Sequence, residues 1–85
     1  MSRIEKIRMA LAVLEPVLLE IEDESHSHAG HAGARSGHGH FRLKIVSAAF
    51  AGLTPIARHR KVYAALGELM QTDIHALAIE ARAPE

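Results

Sequence analysis

Apolar residues recur at helical spacing from the start of the chain. Ile4, Ile7, Leu11 and Leu14 fall on one face of a 3.6-residue repeat. Ser2 and Glu5 form the S-x-x-E of a capping box, and Pro16 stops the pattern. From Val17 to Asp23 the period changes to two. Val17, Leu19 and Ile21 alternate with Leu18, Glu20 and Glu22, which predicts a strand. Phe41 to Ser47 predicts a second, with Phe41, Leu43 and Ile45 on one side and Arg42 and Lys44 on the other. After an irregular stretch over 48–53, Thr54 suits an N-cap and Pro55 the first helical position. Ile56, Arg60, Tyr63, Leu66, Leu69 and Met70 continue at helical spacing. Gly67 weakens that helix by about 1 kcal/mol relative to Ala. A last strand is predicted from Ile74 to Arg82, with His75, Leu77 and Ile79 on one face and Ala76 and Ala78 on the other.

The predicted order is therefore α-β-β-α-β. Two consecutive strands pair antiparallel, and the helix before the third allows a crossover to a parallel neighbour. A mixed three-stranded sheet with helices packed on one face buries every apolar stripe, so the fold class is α/β of the α+β kind. With 85 residues the chain fits one domain, residues 1–85. Such a domain buries roughly 60–65 % of its unfolded surface and has no room for a deep catalytic cavity.

Residues 24–40 break the pattern. They hold four of the six glycines, five of the seven histidines and no large aliphatic side chain. Such a segment cannot bury itself and predicts a long solvated loop between the first two strands. His26, His28 and His31 are spaced H-x-H-x2-H, and His38 and His40 H-x-H. Neutral imidazole is a good ligand for zinc, copper, nickel and iron. The plainer reading is a polar loop whose histidines do nothing or take up metal only adventitiously. Gly30-His31-Ala32-Gly33 spells the G-x-x-G of KH nucleic-acid modules, but there the motif joins two helices, and here it lies between strands.

Composition narrows the function further. The absence of cysteine excludes disulfides, thiol nucleophiles and a cluster held by this chain's own thiolates. Ten basic residues balance ten acidic ones, so net charge drives the molecule toward neither nucleic acid nor anionic lipid. The one basic run, Arg58-His59-Arg60-Lys61, reads as a partner contact or a solvated helix face. No apolar run approaches a signal or membrane segment, which predicts a soluble cytoplasmic chain without membrane association. No nucleophile–base signature, Walker loop or H-E-x-x-H motif appears, and the expectation is a binding protein, not an enzyme.

Four stretches resemble the BolA family. Asp23-Glu24-Ser25, His28 and His40-Phe41 look like its first hairpin. Val46-Ser47, Phe50-Ala51-Gly52-Leu53 and Arg58-His59-Arg60 resemble its V-S-x-x-F-x-G-L…R-H-R stretch. Ile74-His75-Ala76-Leu77 is similar to its terminal strand motif. The resemblance implies a fold like the type II KH arrangement and partnership with a monothiol glutaredoxin. It further implies a shared [2Fe–2S] cluster, with thiolates from glutaredoxin and bound glutathione and imidazoles from the BolA side. Carried over, the strand ligand is His75 and the loop ligand matches His28, with His31 the alternative in this longer loop. The free protein, a monomer or weak homodimer, then holds no stable cluster. A DNA-binding regulator is the other function the resemblance implies; the neutral charge makes any DNA binding by the free protein weak.

Overall fold

A computed structural model describes residues 1–24 and 39–85. Helix α1 spans Arg3–Leu11 and continues as a 3-10 turn, Ala12–Leu14. The capping box forms in full: the Ser2 hydroxyl accepts from the Glu5 N–H, and the Glu5 carboxylate from the Ser2 N–H. Glu15 takes a left-handed φ of 49° and turns the chain into β1, Leu18–Asp23. Strand β2 is Gly39–Val46, and a 3-10 turn follows at Ala48–Phe50. Helix α2, Pro55–Leu66, starts on Thr54, whose hydroxyl accepts from the Ala57 N–H. A short α3, Leu69–Thr72, leads into β3, Ile74–Arg82.

Among the described residues the sheet order is β1-β2-β3, with β2 antiparallel to β1 and parallel to β3. The expected mixed α+β architecture is therefore present. Alternation along β2 sends Phe41, Leu43 and Ile45 into the core. There they meet Ile7 and Leu11 of α1, Phe50, Val62 and Leu66 of α2, and Ile74. On the opposite face cross-strand neighbours carry complementary charge: Glu20 opposite Lys44, and Lys44 opposite Glu80.

Four expectations need correction. β2 starts at Gly39, not Phe41, because the Glu24 N–H donates to the His40 carbonyl and lengthens the ladder. Residues 48–53 are not irregular throughout: the Ser47 hydroxyl accepts from the Ala49 N–H and caps the turn that buries Phe50. The second helix is two helices. Gly67 adopts φ 53°, its N–H donates to the Tyr63 carbonyl, and α2 ends there. The apolar stripe of α2 is also rotated. Ile56 is 65 % and Tyr63 41 % exposed, whereas Val62 and Leu66 are buried and Ala65 and Leu69 pack against the core. That stripe begins at Arg58, a charged residue that conceals the periodicity.

Gly39 is fixed by packing. A β-carbon there would clash with Cε2 and Cζ of the buried Phe41 ring. Gly39→Ala should therefore cost about 1–3 kcal/mol through overpacking, read from the urea midpoint. A change below about 0.5 kcal/mol would show that the ring can give way.

Candidate functional site

The first turn of β3 is built around a defect in the ladder. Gly39 pairs with Ile74, but His40 pairs with Ala76, so β3 takes up one extra residue, His75. The extra residue changes which side chains share a face. Ile74 lies in the core and Leu77 packs against it, an odd spacing that simple alternation would forbid. His75 is exposed rather than packed with Leu77 and Ile79, which corrects the expected grouping. Its ring lies against that of half-buried His40, centroids 5.0 Å apart and planes inclined by 46°. A groove of about 280 Å³ runs beside them, lined by Glu24, His40, Phe41, Ala76, Leu77 and Ala78.

Both ends of the histidine-rich segment are fastened here. On one side the Glu24 N–H donates to the His40 carbonyl at 2.7 Å; on the other the Gly39 N–H donates to the Asp73 carbonyl at 3.0 Å. His28 and His31 lie outside the described residues, as do His26 and His38. What the fold contributes is the anchorage of their segment next to His75. Sequence reasoning placed His40 only at the end of a loop motif. The available signal was its alternation with Phe41, which turns it away from the core on the strand adjoining the His75 motif.

Asp73 ties this corner to α1. Its carboxylate accepts from the Thr72 hydroxyl at 2.7 Å and from Lys6 Nζ at 3.2 Å, with Arg3 Nε at 3.7 Å. The Thr72 hydrogen bond first, and then Lys6 and Arg3, hold its pKa below the usual 3.8 against an opposing desolvation. A carboxylate depressed in the folded state stabilises the fold fully above its unfolded pKa. That stabilisation disappears as pH falls through the lower folded value. Wild type should thus be more stable than Asp73→Asn at pH 7, with the gap closing below pH 3.8. Paired urea titrations at several pH values check this; a gap that does not shrink as pH falls below 3.8 would contradict it.

The basic run sits elsewhere. Arg58 Nε donates to the Leu53 carbonyl at 3.1 Å and Nη1 to the Ala81 carbonyl at 3.3 Å, locking the start of α2 to the end of β3. His59 is half-buried, while Arg60 and Lys61 are exposed, so Arg60 does not lean into the apolar side as its spacing predicts. Ala81 and His75 are six residues apart on β3, about 20 Å along the strand. The basic run and the histidine pair therefore occupy opposite ends of that strand.

The site thus brings an exposed imidazole, His75, to the edge of a small α+β domain, at the corner where the described residues Glu24 and Gly39 are hydrogen-bonded. Comparison gives it a family. Residues 10–85 match the BolA-like protein family, and the chain belongs to it. It is 48 % identical over 71 residues to human BolA-like protein 1, covering 84 % of this chain and 50 % of the relative. The DNA-binding transcriptional regulator BolA of Escherichia coli is 43 % identical over 75 residues, 88 % of this chain and 66 % of that protein. The solved BolA domain of SufE1 from Arabidopsis thaliana superposes with a TM-score of 0.84 at 45 % identity, covering 99 % of this chain and 94 % of that one. The chain spans half or less of the length of the first curated relatives it matches, and two of these, from Arabidopsis, are named as chloroplastic or chloroplastic/mitochondrial. Among the described residues no helix is long and apolar enough to cross a membrane.

Proposed function

We propose that this chain is a partner protein and not an enzyme: it binds a monothiol glutaredoxin and co-ligates a [2Fe–2S] cluster with it, in iron–sulfur assembly, trafficking or iron regulation. The observation that carries this reading is His75, exposed at the β3 bulge, at the corner where Glu24 and Gly39 are hydrogen-bonded. Membership of the BolA family, and likeness to the BolA domain of SufE1, are consistent with a role in iron–sulfur biology. The donor chemistry fits a share of such a cluster and not the whole. The chain offers imidazoles and no thiolate, and imidazole can replace thiolate on one iron while glutaredoxin and glutathione supply sulfur.

In this reading His75 and His28, or His31 in its place, each present a neutral ring nitrogen. The β3 ladder orients His75, and Asp73 fixes the turn before it. The cluster itself supplies the redox-active irons. Arg60 and Lys61, with Arg58 and His59 on the same turns of α2, meet acidic groups of the partner. A patch of about 800 Å² per partner can take in both ends of β3. The compartment is whichever holds the glutaredoxin, the cytoplasm in the simplest case. The test is co-expression with the host's monothiol glutaredoxin, followed by visible absorption and circular dichroism of the purified complex. A mixed-ligand spectrum, distinct from that of glutaredoxin alone, is the expected result; co-purification without one overturns the reading.

A second reading, DNA binding, is favoured by the name of the E. coli relative. The basic run separates the two. Arg60→Glu with Lys61→Glu should slow association with glutaredoxin by about tenfold at low salt, the effect shrinking as salt rises. Stopped-flow mixing measures it. Unchanged glutaredoxin binding with a collapse of duplex DNA affinity would favour the regulator.

A further inference from the structure

We infer that His40 and His75 together form a binding site for a divalent transition-metal ion of the zinc type, in the chain without any partner. The inference rests on the His40 ring, which the cluster proposal does not use. These two rings come from adjacent parallel strands, and the His75 bulge brings them side by side. Two imidazoles on one tetrahedral zinc, with Zn–N bonds of about 2.0–2.1 Å, hold their ring centres about 5 Å apart. The observed separation is 5.0 Å, with the ring planes tilted rather than stacked face to face. Tilt matters, because two ring nitrogens aimed at one point cannot belong to stacked parallel rings. The pair is reached from the His75 side, which is exposed, whereas His40 is half-buried with its Nε2 inside.

Hard cations are the wrong ligands for such a site, because calcium and magnesium take oxygen donors. Imidazole without thiolate suits zinc, copper(II) and nickel(II). Among the described residues no third histidine, cysteine or carboxylate completes a metal-binding group. The site therefore supplies two protein ligands, and water fills the remaining positions.

The experiment uses zinc sulfate and the full chain, with His26, His28, His31, His38 and His59 all replaced by Ala so that only the pair is read. Calorimetry should show one zinc bound per chain in this background. His75→Ala and His40→Gln should each weaken binding by at least about tenfold. His75 is exposed, so its substitution keeps the test decisive even where His40→Gln fails to fold. Histidine-detected NMR of the background protein should show both rings shifting together on zinc addition. No zinc uptake by the background, affinity within about threefold after His75→Ala, or a shift of one ring only overturns the inference. Glutaredoxin takes no part in these measurements, so their outcome is independent of the cluster proposal.

Discussion

His75→Ala is expected to abolish the mixed-ligand visible spectrum of a complex with monothiol glutaredoxin, leaving the weaker signature of glutaredoxin alone. The argument begins with what the substitution does not disturb. The His75 side chain is exposed, as is that of Ala76, and the buried residue at the start of β3 is Ile74. The strand is held by backbone pairing with β2 from Ile74 to Arg82, which a change to Ala leaves in place. Stability should therefore stay within about 0.5 kcal/mol of wild type, as for surface substitutions elsewhere. The effect on ligation should be large, because the other candidate donors sit on a separate segment and cannot reproduce a strand-fixed position. His28→Ala should lose less, since His31 follows three residues later. The double variant His28→Ala/His31→Ala should match His75→Ala. Unchanged absorption and circular dichroism in His75→Ala would identify it as a residue with no part in ligation.

The contrast between His75 and its neighbours marks where sequence ceases to be sufficient. The period-two pattern of β2 and the capping signals of α1 and α2 are local physics, written in adjacent residues; both helices start on their predicted caps, and β2 forms over predicted residues 41–46 with two residues more at its start. A bulge is different. It arises from the pairing of Gly39 and His40 with β3, residues more than thirty positions away, and no local pattern in Ile74-His75-Ala76 shows that alternation slips. The same holds for α2. Its inward stripe starts with Arg58, whose burial depends on two distant backbone carbonyls, at Leu53 and Ala81, that satisfy its guanidinium. A wheel drawn from apolar residues alone turns toward Ile56 and Tyr63 instead. As for the site, His75 was singled out only through family resemblance, and its proximity to His40 follows only from strand order.

Phe50→Ala should be strongly destabilising. Phe50 is completely buried, yet it sits in a three-residue turn that has little stability of its own. The ring is held from both sides of that turn. Upstream, the Ser47 hydroxyl donates to the Leu14 carbonyl at 2.5 Å while the Ser47 N–H donates to the Arg82 carbonyl, joining the end of β2 to the segment after α1 and to the end of β3. Downstream, the Leu53 N–H donates to the Phe50 carbonyl, and the Leu53 carbonyl in turn receives Arg58. Removing the ring opens a cavity where sheet, turn and helices meet, a loss of about 3–5 kcal/mol. A domain of this size is stable by only about 4–13 kcal/mol, so the variant should be partly unfolded at 37 °C or melt far below wild type. Phe50→Leu, which keeps most of the apolar volume, should recover more than half of the loss. Urea unfolding followed by far-UV circular dichroism gives both values. A Phe50→Ala protein within about 1 kcal/mol of wild type would mean that the surrounding turn collapses onto the space and that the ring is not the anchor of this junction.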